Sequence, residues 1–399
     1  MQAKKEIVFV IPGLAAGGAE KSLVNLLNTI DYSRYNVDLI VFNKSGIFLT
    51  MLPNGVNLIE IKGNYKYFSK SLNTAVFHFI KRLQWGLAVN RLLFFLKNKC
   101  IKNKAIAEQQ SWENLSESIP VSSKKYDAAI GFLEKSSLYY VIEKLQAKNK
   151  IAWIHTNYSN SGMNAKFDDY YFQKFNAVVG VSEECVEDLQ KNFSHLKSKF
   201  KVIYNIISTQ VIQSLAKEKV NDRVLPNSAN IILTIARLSY EKGCDLALDA
   251  AKIMTEKGID FKWLIIGDGQ ERNILGAEIK NKKLEDKFLL IGLRENPYPY
   301  LNACSIYVQP SRYEGKSMAI EEAKILQKPI VITNYPTAKD QINPNKTGII
   351  AEMNPQAIAQ EIMNLIANKE LQTELSLNLA KEQLGTESEI NKLYDLINV

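Results

Sequence analysis

Ile7-Val8-Phe9-Val10-Ile11-Pro12-Gly13 opens the stretch whose reading decides the fold: a continuous apolar run, a turn from Pro12 to Gly18, then residues 19–30 with Leu23, Leu26, Leu27 and Ile30 at helical spacing. An uninterrupted β-rich run is the pattern of a strand covered on both faces, and the amphipathic helix after it predicts a βα unit of a parallel sheet. The pattern recurs. Short apolar runs at 37–42, 126–132, 151–155, 177–181 and 201–203 are separated mostly by helical stretches. A second series starts at Ile231–Ile235 and passes through the loop Arg237-Leu238-Ser239-Tyr240-Glu241-Lys242-Gly243 into a helix over 245–257. It continues with runs at 261–266, 288–291, 306–309, 330–333 and 348–350. Two doubly wound, Rossmann-like α/β halves are expected, with 211–230, containing Pro226 and Asn227, as the linker. Ligands in such folds lie beyond the carboxyl ends of the strands, so two facing halves predict an interdomain cleft.

The 399 residues suit two or three domains, and 46% hydrophobic with 23% charged residues exclude wholesale disorder. Cys100, Cys185, Cys244 and Cys304 include no C-x-x-C pair, and His78, His155 and His195 lie far apart, which argues against a disulfide scaffold and against a metal centre. Ile7–Ile11 is too short for a signal-peptide core, and no stretch approaches the roughly 18 uncharged apolar residues of a membrane span. A cytoplasmic location is expected, either free or peripheral at the inner face of the cell membrane. Residues 1–210 carry 27 Lys+Arg against 17 Asp+Glu, and 61–104 carry ten basic residues and no acidic one. That asymmetry suggests an anionic partner; no nucleic-acid module is recognisable, so a membrane surface is the candidate and nucleic acid is not expected. Residues 72–96 read as one basic, apolar helix followed by Lys97, Lys99, Lys102 and Lys104. Such a helix is either part of the core with a solvated basic face or an interfacial segment on anionic lipid.

Gly315-Lys316-Ser317 is not a P-loop, because the required earlier glycine is Pro310, and Gly267-x-Gly269 has Arg272 where a dinucleotide motif needs its third glycine. Gly17-Gly18 precede a helix whose positive end can meet an anion; the alternative is an ordinary βα turn. Arg237 and Lys242 flank a loop after a strand and are spaced to clamp a diphosphate, or else form a solvated pair. Glu314 lies in a turn, and Glu322 inside a helix that starts near Ser317 with free amides facing a ligand. Carboxylates so placed suit sugar or ribose diols; the alternative is a capped helix with exposed acids.

The ordered set Gly17-Gly18, Ala236-Arg237-Leu238-x-x-Glu241-Lys242-Gly243, Ile266-Gly267-Asp268-Gly269 and Pro310-Ser311-x-x-Glu314-Gly315 resembles glycosyltransferase family four, of the GT-B fold. Glu322-Ala323 and Lys328-Pro329-Ile330-Val331 extend the match, which is strongest over 230–350; Glu314 and Glu322 have the spacing of the family's paired glutamates. Lys316-Ser317-Met318 stands where Phe-Gly-type residues are common. The resemblance implies a retaining, metal-independent hexosyltransferase without a cofactor, in capsule, O-antigen or exopolysaccharide synthesis. Its donor would be a nucleotide-sugar, a UDP-sugar by expectation, and its acceptor a saccharide, lipid-linked by expectation. Arg237 and Lys242 would stabilise the departing diphosphate, helped by the amides at Gly17 and Gly18. Glu314, Gly315, Lys316 and Ser317 would hold the sugar, Glu322 the ribose, and Gly292-Leu293-Arg294 the base. His155 would lie by the transferred sugar, or is a strand-end histidine with a structural hydrogen bond. The implied domains are 1–210 for the acceptor, 211–384 for the nucleotide-sugar, and a helix over 385–399 packing back toward the first. A nucleotide-sugar epimerase or an inactive partner subunit are the other readings.

Overall fold

The computed structural model describes residues 3–15, 17–219 and 230–398. It divides the chain into two units, Met1–Ile206 with Thr386–Val399, and Ile207–Gly385. The expected linker begins with the helix Thr209–Leu215, and its Pro226 and Asn227 lie outside the described residues.

The first unit holds β1 (Lys5–Ile11), β2 (Tyr35–Val41), β3 (Val56–Glu60), β4 (Lys125–Gly131), β5 (Gln146–Ile154), β6 (Ala177–Gly180) and β7 (Phe200–Val202). They form one parallel sheet in the order β3-β2-β1-β4-β5-β6-β7. The apolar run of β1 is continuous because both faces are covered: Ile7, Phe9 and Ile11 join a core with Leu23, Leu27 and Trp153, while Val8 and Val10 join another with Trp112 and Tyr139. The C-terminal helix Ile390–Asn398 adds Leu393 and Ile397 to the first of these cores, and Tyr394 stacks on Tyr35 with ring centroids 5.0 Å apart.

The second unit holds β8 (Ile231–Ile235), β9 (Lys262–Ile266), β10 (Phe288–Gly292), β11 (Ile306–Gln309), β12 (Ile330–Thr333) and β13 (Ile349–Ala351), all parallel in the order β10-β9-β8-β11-β12-β13. In each unit the winding reverses once, between β1 and β4 and between β8 and β11. The loops leaving such a pair of strands diverge to opposite faces and leave a crevice at the carboxyl ends.

Two expectations are corrected. The edge strand β3 was not anticipated; its residues are half-buried or exposed, so they lack the apolar run that marks the inner strands. The basic segment expected as one helix is two, Leu72–Lys81 and Trp85–Cys100. Leu83, at φ 57, takes the left-handed position that ends the first helix, and the Gln84 N–H returns to the Phe79 carbonyl at 2.9 Å. Among the described residues no helix is long and apolar enough to cross a membrane.

Candidate active site

In the second unit the crevice is framed by residues 236–243 after β8 and residues 310–317 after β11. Gly243 closes the turn Tyr240–Lys242 at φ 64 and opens the helix Cys244–Glu256. A Cβ at Gly243 would stand 1.9 Å from the Pro310 carbonyl oxygen, so glycine is what lets the two loops touch. At that contact Lys242 Nζ meets Glu314 Oε2 at 2.7 Å. Glu314 is only 6% exposed, and its Oε1 accepts from Ser311 Oγ at 2.7 Å and Gln309 Nε2 at 3.0 Å. Arg312 binds the loops together from the other side. Its guanidinium donates to both Asp245 carboxylate oxygens at 2.8 and 2.6 Å and to the Tyr240 carbonyl at 2.8 Å.

Arg237 is exposed, and among the described residues no hydrogen bond or ion pair engages its guanidinium. The loop after β8 thus offers one cation open to a ligand and one held by a carboxylate. An entering anion can take Lys242 from Glu314, which frees carboxylate lone pairs for hydroxyl donors. Gly267-Asp268-Gly269 serves this frame by packing: a Cβ at Gly267 would lie 1.8 Å from the Ala236 carbonyl oxygen.

The loop after Glu314 is not built as the sequence suggests. The Ser317 N–H, expected to face a ligand, donates instead to Gln341 Oε1 at 2.8 Å. Gln341 Nε2 donates to the Gly315 carbonyl at 3.2 Å, and Thr337 Oγ1 donates to the Glu314 and Gly315 carbonyls at 2.8 and 3.0 Å. Residues 337–341 therefore fix the backbone of 314–317, while Gly315 and Lys316 remain exposed. Glu322 is no exposed acid on the helix Met318–Ile325: it is fully buried, and its Oε1 accepts from Tyr298 OH at 3.1 Å. Burial, reinforced by this carboxylate, raises the Tyr298 phenol well above its ordinary value. After β10, the Arg294 Nε donates to Tyr300 OH at 3.0 Å and Nη1 to the Leu293 carbonyl at 3.0 Å, stapling the turn that Gly292 makes at φ 76.

In the first unit Gly17 is the N-cap and Gly18 the first residue of the helix Gly18–Thr29. A Cβ on Gly17 would lie 2.0 Å from a Glu20 carboxylate oxygen, so an acid of the chain itself sits against the positive end of this helix. Beside it, a cavity of about 460 Å³ is lined by Gly13, Glu20, Asn43, Asn98, Glu108 and Trp112 among others. It combines aromatic faces with hydrogen-bonding groups, and Glu108 pairs with Lys135.

His155 directly follows β5, its ring 4.9 Å from that of Phe132. The Phe132 carbonyl engages the ring, while the buried Nε2 has no partner among the described residues. Burial lowers its pKa to about 3, so the imidazole is neutral near pH 7 and Nε2 presents a lone pair. Buried Glu134, which the sequence did not single out, fixes the backbone there by accepting from the N–H groups of His155 and Thr156 at 2.6 and 2.9 Å. Among the described residues no group of three or more His, Cys, Asp or Glu side chains is placed to hold a metal ion.

The family model of glycosyl transferases group 1 matches residues 216–382. The match spans most of the second unit, Ile207–Gly385. A Campylobacter jejuni relative, N-acetylgalactosamine-N,N'-diacetylbacillosaminyl-diphospho-undecaprenol 4-alpha-N-acetylgalactosaminyltransferase, is 24% identical over 90% of both chains. The poly(ribitol-phosphate) alpha-N-acetylglucosaminyltransferase of Staphylococcus aureus is 25% identical over 61% of this chain and 49% of its own. An uncharacterized glycosyltransferase of Methanocaldococcus jannaschii is 26% identical, and the match spans 43% of each chain. Among solved structures, Anabaena HepE in complex with UDP and glucose superposes with a TM-score of 0.67 at 15% identity, over 99% of both chains. At that identity the likeness shows the fold alone, and the fold is GT-B: two Rossmann-like units.

Proposed function

We propose that the protein is a retaining glycosyltransferase that moves a sugar from a nucleotide-sugar, a UDP-sugar by preference, to a lipid-linked saccharide in bacterial surface-polysaccharide synthesis at the inner face of the membrane. The observation that carries this reading is the Lys242–Glu314 ion pair, with exposed Arg237 on the same loop after β8, at the winding reversal of the second unit. As the bond from the sugar to the diphosphate breaks, negative charge grows on the leaving group, and Arg237 with Lys242 offsets it without a metal. Glu314, once Lys242 turns to the phosphate, accepts from sugar hydroxyls. Glu322 accepts from ribose hydroxyls while Tyr298 holds its other side. Gly292, Leu293 and Arg294 frame the base, and the amides of Gly17 and Gly18 assist the diphosphate when Glu20 yields its place. His155 receives a sugar hydroxyl at Nε2, and the cavity of the first unit takes the acceptor saccharide. Supporting the acceptor class, the Campylobacter relative is named for a diphospho-undecaprenol substrate.

The test is calorimetric binding of UDP, GDP and their sugars, in the presence of a chelator. Glu322→Ala is expected to weaken bare UDP and UDP-sugar alike, whereas Glu314→Ala weakens the intact UDP-sugar and spares UDP. Equal loss of UDP affinity in both variants would reject the division of roles, and no affinity for any nucleotide in the wild type would reject the function.

A further inference from the structure

We infer that the hairpin formed by the helices Leu72–Lys81 and Trp85–Cys100 docks on an anionic phospholipid bilayer. This deepens the proposed function, on which it rests only for the purpose of the docking, by naming the surface through which a lipid-linked acceptor is met.

The second helix is apolar on two opposite sides. Ala88 and buried Arg91 face inward, where the Arg91 guanidinium holds the Phe68 carbonyl at 2.8 Å and the Lys70 carbonyl at 3.0 Å. Trp85, Val89, Leu92, Leu93 and Leu96 follow at steps of four, three, one and three residues, which places them in a single stripe, and all five are exposed. The first helix and the turn add further exposed apolar side chains, Phe77 at 70% and Leu83 at 76%. Leu83 also occupies the left-handed backbone region, so both its conformation and its exposure are unfavourable in the isolated unit. A stripe of exposed apolar side chains of this kind marks a contact with something outside the chain.

The charges select the partner. Residues 61–104 carry no acidic side chain, and Lys81, Arg82, Lys99 and Lys102 are exposed around the stripe. Lys97 and Lys104 are instead committed to the Gln110 and Asn98 carbonyls at 2.7 and 3.0 Å. Protein interfaces are depleted of lysine at their centres. An apolar stripe with an interfacial tryptophan, in a segment whose charges are all basic, matches the layered chemistry of an anionic membrane, apolar within and negative at its surface. The same helix lines the cavity of the first unit with Phe94 and Asn98, so an acceptor anchored in that bilayer meets the cavity along one element.

Trp85 supplies a direct readout, because Trp112, Trp153 and Trp263 are fully buried. The full chain is titrated with vesicles of phosphatidylcholine, with and without phosphatidylglycerol, some carrying acyl-chain bromine. A blue shift and bromine quenching of tryptophan emission are expected with the anionic vesicles, absent in Trp85→Phe. Replacing Lys81, Arg82, Lys99 and Lys102 together with Gln is expected to weaken partitioning on the order of 1,000-fold, given the attraction of each basic residue to an anionic surface. Transfer to a soluble saccharide acceptor is expected to stay unchanged in that variant. Equal binding to neutral and anionic vesicles overturns the inference, as does a Trp85 shift that appears without lipid as protein concentration rises, which would mark self-association. Loss of vesicle binding with transfer intact leaves the proposed function standing. Vesicle binding without transfer of any sugar leaves the docking surface standing alone.

Discussion

Lys242→Ala is expected to slow sugar transfer by about 10²–10³-fold, the loss seen when a preorganised donor to developing negative charge is removed. Two effects combine in this variant. The leaving diphosphate loses a cation, and Glu314 loses the ion pair that offsets its charge in a buried position, although Ser311 and Gln309 still donate to it. The second effect can be separated from the first. In the double variant Lys242→Ala/Glu314→Gln the unpaired carboxylate is gone, so the combined loss should fall short of the product of the two single losses, which a double-mutant cycle on initial rates will measure. Strictly multiplicative losses would mean that the Lys242–Glu314 contact plays no part in turnover.

Gly243→Ala is expected to destabilise the second unit by about 2–4 kcal/mol and to abolish most activity, although the residue carries no functional group. Its φ of 64 disfavours any side chain, and the new methyl would stand 1.9 Å from the Pro310 carbonyl oxygen, so the loops after β8 and β11 must part. Parting them draws Lys242 from Glu314 and strains the Arg312–Asp245 pair. Thermal unfolding and nucleotide affinity should fall together. A stable variant with unchanged affinity would show that the close loop contact is dispensable.

The inner strands were legible because burial on both faces forces long apolar runs, as in Ile7–Ile11 and Ile231–Ile235. The edge strand β3 was not, since Val56–Glu60 has water on part of its surface and needs no such run. The break at residues 82–84 was also hidden: Arg82-Leu83-Gln84 contains neither glycine nor proline, and only the backbone reveals that Leu83 turns left-handed. At the site, Arg237, Lys242, Glu314 and Glu322 stood out by residue type and spacing. Their supports did not, because Gln341, Thr337, Asp245 and Tyr298 act across more than twenty residues of chain and pattern reads only along it. Gly267-x-Gly269 lacks the third glycine of a dinucleotide motif in the sequence, and the structure uses Gly267 for the approach of one loop to another.

The central claim, metal-free retaining transfer from a nucleotide-sugar bound by the second unit, is tested most directly by one assay. The purified chain is incubated in EDTA with a UDP-α-sugar and an undecaprenyl-diphosphate-linked saccharide, and the new anomeric centre is assigned by proton NMR. The account predicts an α-linked product formed in EDTA at a rate that added magnesium leaves unchanged. A β-linked product, or formation that stops in EDTA and returns with magnesium, would contradict it.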